Sequence, residues 1–263
     1  MFNTIKDILK SEGINNVGMI PLKECEIINQ RILPSDAKSA IMFSIPYRSS
    51  KNKRTDGFSE YACIYDYHKF TQELYERTID TMKEKTGYNF YGFCDHSPIN
   101  EKIAIAKCGL GVIGRNSLFI DKIYGTYIFI GSILTNAECN TEASAIDVCI
   151  NCKKCIEACP NNAVLDKGID RTKCLSAISQ KKNKTDEEKQ ILKLNNIVWG
   201  CDICQEVCPY NEAVLISPIK RFEDTRVKKI DKAFIDSLSD EEFNKYAFSY
   251  KGRKIIYDNI EFK

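Results

Sequence analysis

The chain has 263 residues, with 38 Lys and Arg against 36 Asp and Glu and a formal net charge of +2. Both signs are mixed along it, which excludes the one-signed field of a strongly basic nucleic-acid or membrane-surface protein. Its length predicts one large domain or two ordinary ones.

The N-terminal run Met1-Phe-Asn-Thr-Ile-Lys-Asp-Ile-Leu-Lys10 lacks the apolar stretch of a signal peptide. Phe2, Ile5, Ile8 and Leu9 instead recur at helical spacing, and Gly13 follows where a helix stops. Val17 to Ile20 reads as a short strand, Lys23 to Pro34 as a second helix or a loop, and Ala40 to Ile45 as a buried strand ended by Pro46. The polar run Arg48 to Gly57 is expected as a surface loop. From Asp66 to Lys85, Tyr67, Phe70, Leu74, Ile79 and Met82 trace one face of a long helix closed by Gly87.

The aromatic run Tyr88 to Cys94 reads as a strand delivering Asp95 and His96 at its C-terminal end, where open α/β sheets place ligands and chemistry. A short helix is expected from Pro98 to Lys107. The following Gly109-Leu-Gly-Val-Ile-Gly114 comes after a helix rather than a strand, and its third glycine does not fit a dinucleotide loop. A tight turn against a flat or bulky ligand suits it at least as well. Ser117 to Ile120 and Tyr124 to Leu134 read as β segments. The longest apolar stretch, Ile123 to Leu134, is too short and too interrupted to cross a bilayer. Thr185-x-x-Glu188 and Ser239-x-x-Glu242 are capping boxes expected to start helices.

Eight of the thirteen cysteines fall between Cys149 and Cys208. Cys149-Ile-Asn-Cys152-Lys-Lys-Cys155-Ile-Glu-Ala-Cys159-Pro160 has the spacing of bacterial ferredoxins, whose fourth cysteine serves the other cluster. Cys201-Asp-Ile-Cys204-Gln-Glu-Val-Cys208-Pro209 supplies three more thiolates, and Cys174 lies alone between the blocks. Eight ligands match two four-iron clusters. The interleaving rule assigns Cys149, Cys152, Cys155 and Cys208 to one, and Cys159, Cys174, Cys201 and Cys204 to the other. Zinc pairs or disulfides would also use C-x-x-C spacings, but zinc does not require the Cys-Pro closures. Cys25, Cys63, Cys94, Cys108 and Cys139 read as small apolar residues. Iron-sulfur thiolates survive in a reducing compartment, so a cytoplasmic location without a membrane partner is expected.

Outside the clusters Asp95 is the candidate proton donor. An aspartate with a pKa of ~3.9 is protonated in only about one molecule in a thousand at pH 7, so the role calls for surroundings that raise it. The competing reading is a helix cap for the segment near Pro98. His68 and His96, the only two histidines, read as hydrogen-bonded structural residues.

With these residues in view, the chain resembles the epoxyqueuosine reductases, cobalamin-dependent iron-sulfur enzymes of the last step of queuosine synthesis in tRNA. Four stretches carry the resemblance: Asp66-Tyr-His68; Asp95 through Lys102 and Gly111 to Arg115-Asn116; Tyr124-Gly125 through Ile133-Leu-Thr-Asn136; and Cys149 to Asn211. It implies an α+β architecture: a nitroreductase-like α/β cobalamin-binding domain over 1–138, a ferredoxin-like double [4Fe-4S] domain over 139–215, and a C-terminal helical extension over 216–263 that packs back on the core. It also implies two-electron deoxygenation of epoxyqueuosine to queuosine in tRNA, with Asp95 as proton donor. Cobalamin contacts are implied at Asp95, Phe119, Ile130 and Ser176, and a low-potential flavodoxin or ferredoxin as electron donor.

The chain departs from the family at several points. Glu60-Tyr-Ala-Cys-Ile64 stands where Arg-Tyr-Ala-Trp-Gly is usual, Ser132 replaces an acidic residue, and Tyr257-Asp-Asn259 replaces Gln-Arg-Asn. It also resembles a short form without the helical-repeat domain of full-length members. Arg226, Lys228, Lys229, Lys251, Arg253 and Lys254 are candidate phosphate contacts. Two other readings stand beside this one. The first is a corrinoid reductase of a small organic substrate, as in reductive dehalogenases; the second is a double-cluster electron carrier without cobalamin, in which Asp95 is only a cap.

Overall fold

The computed structural model describes residues 1–49 and 56–261. In chain order the first elements are α1 (Phe2–Ser11), β1 (Val17–Pro21), β2 (Ser39–Pro46), α2 (Tyr67–Thr86), β3 (Phe90–Phe93), α3 (Glu101–Lys107), β4 (Gly111–Ile113), β5 (Phe119–Asp121) and β6 (Ile128–Thr135). Strands β1, β2, β6 and β3 form one sheet in that order, and every pairing is antiparallel. The rule for open parallel sheets therefore does not explain why chemistry gathers at the end of β3.

Alternation along β2 sets the layers. Ile41, Phe43 and Ile45 join Ile5 and Leu9 of α1 and Phe70 and Leu74 of α2 in one core, while Ala40 and Met42 join Ala104 and Ile105 of α3 and Phe119 in another. A strand covered on both faces reads as an unbroken apolar run, which is why no alternation of polar residues marks it. Each fully buried side chain of this size contributes roughly 1.5–3 kcal/mol.

Helix α2 starts where the Asp66 carboxylate accepts the His68 N–H and stops at Gly87, whose φ of +75° only glycine adopts readily. Gly92 lets the Tyr75 ring lie flat on β3, since a Cβ there would meet that ring at 2.4 Å. The Tyr75 hydroxyl reaches the carbonyls of Phe93 (2.7 Å) and Ser132 (3.0 Å), which fixes the end of β3 against β6. The segment expected as a helix or loop between Lys23 and Pro34 holds two 3-10 turns, Leu22–Glu24 and Gln30–Ile32. The glycine-rich stretch is a tight approach of β4 to β5: a Cβ on Gly111 would lie 2.1 Å from the Ile120 carbonyl. The loop expected from Arg48 to Gly57 lies largely outside the described residues.

The cysteine segment follows as α4 (Lys154–Glu157), the hairpin β7 (Val164–Leu165) and β8 (Gly168–Ile169), α5 (Leu175–Ser179), α6 (Asp186–Leu194) and α7 (Ile203–Glu206). The chain ends in α8 (Lys220–Asp224), α9 (Lys232–Ser237), α10 (Asp240–Phe243) and α11 (Arg253–Glu261). Both capping boxes form, at Thr185 and Ser239. Phe222 enters the first sheet core, whereas Ile235, Phe243, Phe248 and Ile256 build a separate core with Phe58, Cys63 and Trp199. Asn259 fastens α11 to this body by donating to the carbonyls of Ser179 (2.8 Å) and Val198 (2.7 Å). Among the described residues no helix is long and apolar enough to cross a membrane.

Candidate active site

Asp66, Tyr67 and His68 meet Asp95 across the start of α2. His68 Nδ1 lies 2.8 Å from Asp66 Oδ1, and its Nε2 lies 2.6 Å from Asp95 Oδ2. The Tyr67 hydroxyl donates to that same Asp95 oxygen at 2.6 Å. Asp95 stands two residues past β3 with a left-handed φ of 61°, which aspartate tolerates better than most residues.

Placed between two carboxylates, the imidazole is held as a cation. Hydrogen bonds to Asp66 and Asp95 raise His68 to about 10 against the opposing effect of burial. Asp95 moves the other way: burial raises it, but the hydrogen bonds from His68 and Tyr67 and the His68 charge outweigh burial and hold it below the usual carboxylate range. The expectation that its setting lifts Asp95 is thus corrected. At neutral pH the proton of this pair resides on His68. The helix-cap reading also fails, because Asn100 caps α3 by accepting the Ile103 N–H.

Tyr67 and Asp95 line two chambers at once. The larger, about 510 Å³, has apolar walls of Ile99, Phe119, Ile128, Phe129 and Ile130, with Glu101 and Lys102 among its polar groups. Three of the four expected cofactor contacts, Asp95, Phe119 and Ile130, therefore share one cavity. Ser176 does not line it; its carbonyl accepts from Gln180 Nε2 at 3.1 Å, and Gln180 borders the smaller chamber. That chamber, about 260 Å³, is walled by the rings of Tyr61, Tyr67, His68, His96, Trp199 and Tyr250.

Sequence reasoning missed Glu101. Ser132 Oγ donates to Glu101 Oε1 at 2.6 Å, and burial, opposed by that bond and reinforced by the Asp95 charge, pushes the carboxyl up to about 7. Ser132 is one of the departures noted above, but its partner lies 31 residues away on another element, and no local pattern joins them. Cys94 is a second omission: its Sγ lies within 4.8 Å of the donor atoms of His68 and Asp95, so it belongs to the site rather than to a core. Burial, with the Asp95 charge beside it, raises it to about 12 and keeps it a neutral thiol.

The departure at Glu60 also has a partner. Arg226 Nη1 donates to Glu60 Oε1 at 3.1 Å, with the arginine side chain 2% exposed and the glutamate 11%. Arg226 is therefore not a surface contact for phosphate. Nor is Arg253, which donates to the carbonyls of Ile235, Leu238 and Ser239. Lys229 pairs with Asp231 at 2.7 Å, while Lys228, Lys251 and Lys254 are exposed. Where the family has tryptophan, Cys63 is buried in the same core as Trp199, the chain's one tryptophan.

Cys149, Cys152, Cys155 and Cys208 surround one small hollow together with Asn116 and Tyr210. Burial and the neighbouring Cys149 and Cys152 thiols push Cys155 up. In the other set, burial followed by Cys201 raises Cys204, with Cys174 also acting on it. Cys159 Sγ accepts the Ala163 N–H at 3.2 Å. Left-handed residues Asn151 and Lys153 curl the first block, and Cys152 is exposed.

A sequence family described as a 4Fe-4S double cluster binding domain matches residues 148–211, so this segment is an iron-sulfur domain. An epoxyqueuosine reductase of Cyclobacterium marinum is 30% identical over 226 residues, which cover 83% of this chain and 72% of that protein. The chain belongs to the epoxyqueuosine reductase family. The epoxyqueuosine reductase of Lactococcus garvieae is 28% identical over 251 residues, 89% of this chain and 71% of its own length. Among solved structures, epoxyqueuosine reductase from Streptococcus thermophilus superimposes with a TM-score of 0.80 at 22% identity, covering all of this chain and 80% of its own. An epoxyqueuosine reductase with an epoxyqueuosine-modified tRNA-Tyr stem loop gives 0.82 at 21% identity, covering 99% and 80%. A catabolic reductive dehalogenase gives 0.54 at 17% identity, covering 84% of this chain and 33% of its own. The α+β fold and the family expected from the motifs are both borne out.

Proposed function

We propose that this chain is an epoxyqueuosine reductase that converts epoxyqueuosine in tRNA to queuosine, using two [4Fe-4S] clusters and a cobalamin. The observation that carries the reading is the position of Asp95: bonded to a protonated His68, at the neck between an apolar chamber and an aromatic one. A plain electron carrier has no use for that arrangement. A Bacillus subtilis epoxyqueuosine reductase, similar at a TM-score of 0.81, has a catalytic aspartate loop that swings out of its active site. That supports a catalytic role for Asp95, which stands on its own turn after β3.

Residues 1–138 and 139–215 divide the work, and Ala247 and Tyr250 from the C-terminal extension close the aromatic chamber. Cys149, Cys152, Cys155 and Cys208 hold one cluster; Cys159, Cys174, Cys201 and Cys204 hold the other. The exposure of Cys152 supports the first as the entry point for a flavodoxin or ferredoxin. The walls of the larger chamber suit a broad, largely apolar macrocycle, which Asp95, Phe119 and Ile130 would hold, while Ser176 on α5 lies outside that chamber. A corrinoid bound there supplies a low-potential metal centre for the two electrons, and clusters of this type span about −700 to +450 mV.

Removing an epoxide oxygen as water, with formation of the alkene, consumes two electrons and two protons. His68 passes one proton through Asp95 Oδ2. Glu101, protonated in a large fraction of molecules near neutrality and on the wall of the same chamber, holds the second. Tyr67 keeps the Asp95 carboxylate facing the neck.

The test is turnover by anaerobically reconstituted protein on an epoxyqueuosine-modified stem loop with a low-potential donor. Mass spectrometry of the nucleoside is expected to show the loss of one oxygen. Absence of product from a sample with verified clusters and corrinoid would overturn the substrate assignment.

A further inference from the structure

A column of rings runs out of the active site. Phe129 and Tyr67 stack at 4.0 Å with planes 11° apart, and Tyr67 and His68 stack at 4.0 Å with planes 30° apart. The next ring is Tyr250, nearly parallel to His68 at 19°, but with its centroid 6.4 Å away. The column thus continues in direction and breaks in spacing. A planar base between two rings needs about 3.4 Å on each face, roughly 7 Å in all. Tyr250 can supply the remainder, because it lies on the short turn Ala247–Lys251 next to Gly252 and is 63% exposed.

We infer that the gap between His68 and Tyr250 is a stacking slot for one planar base of the RNA substrate, with Tyr250 as its outer platform. The inference rests on the reading of the substrate as RNA and adds to it the group that holds a base beside Asp95. Four features support it. Both rings border the smaller chamber, whose volume of about 260 Å³ takes a bicyclic heterocycle but not a macrocycle. Lys251 Nζ sits 4.2 Å from the centroid of the Tyr250 ring, a cation beside the platform where the phosphates flanking a stacked base would pass. The Gln180 amide and the Tyr61 hydroxyl, 3.5 Å apart, belong to residues that border this chamber, so polar groups are at hand for a base edge. Finally, two of the six basic residues expected to meet phosphate are turned inward, which leaves stacking a larger share of substrate capture.

The experiment compares wild type, Tyr250→Ala and Tyr250→Trp as reconstituted holoproteins. It measures the Kd for an unmodified anticodon stem loop by fluorescence anisotropy, KM and kcat on the epoxyqueuosine stem loop, and retained corrinoid. Tyr250→Ala is expected to raise Kd and KM by roughly 5- to 150-fold, the range of one base–aromatic stack, with corrinoid content unchanged. Tyr250→Trp is expected to bind at least as tightly as wild type. Unchanged RNA affinity in Tyr250→Ala overturns the slot, as does a loss of corrinoid in place of RNA. If wild type binds the stem loop in a Tyr250-dependent way yet forms no product, the slot stands and the assigned reaction falls.

Discussion

Every residue of β2 from Ser39 to Pro46 is buried, whereas none from Glu138 to Asn162 is. The strand is held by apolar side chains on both of its faces. The cysteine segment has only a small core, Leu175, Ile178, Leu192 and Ile197, and its loops around Cys149 to Cys159 lie outside it, so the proposed clusters are what would order them. The difference teaches that one chain carries two independent sources of order. The sheet is expected to outlast the clusters, and the clusters cannot be replaced by better packing.

The strongest way to break this comparison is to remove the iron. Anaerobic chelation is expected to abolish hydrogen-exchange protection across residues 149–162 and 201–208 while β2 and β6 keep theirs; a uniform loss along the chain would contradict it. On the packed side, Arg226→Ala leaves the buried Glu60 carboxylate without its partner and is expected to cost about 3–5 kcal/mol in denaturant unfolding. Glu60→Leu combined with Arg226→Met is expected to recover most of that loss, and a single-variant cost below about 1 kcal/mol would show that the pair does not hold these two segments together.

A pH series sharpens the comparison at the site. The folded pKa of Glu101 is raised from 4.5 to about 7, so its stabilising contribution is complete below 4.5 and lost as pH rises through 7. Glu101→Gln removes that loss and is expected to gain on wild type by on the order of 1–3 kcal/mol at about pH 8, with little difference near pH 4. His68 contributes fully below its ordinary 6.5 and loses the contribution as pH rises through about 10, so the two groups are separable in one titration. Smallest, Thr185→Ala removes the capping-box oxygen of α6 and is expected to cost about 1 kcal/mol by thermal unfolding.

How much was legible follows from where each signal lives. Spacing within a few residues revealed the cysteine blocks, both capping boxes, and α2 with its Gly87 stop, but not its Asp66 cap. Periodicity revealed β2 as buried but not its antiparallel partners, because register is decided between strands and leaves no mark on one of them. Asp95 was found as an acid at a strand end, yet its protonation was misread. The deciding partner is His68, 27 residues earlier, which the sequence offered as a structural histidine within a family stretch but with no sign that it meets Asp95. Glu60 with Arg226 and Ser132 with Glu101 escaped for the same reason: Glu60 and Ser132 appeared only as departures from the family, Arg226 as a phosphate contact and Glu101 not at all, until the fold joined them.

The central claim is that a proton held by His68 reaches the reacting centre through Asp95, beside clusters that deliver the electrons. Asp95→Asn in fully reconstituted protein tests it most directly, with iron, corrinoid and turnover measured on the same sample. The account predicts turnover lower by roughly 10²- to 10⁴-fold with iron and corrinoid content unchanged. A variant with both cofactors in place that turns over at the wild-type rate would contradict it.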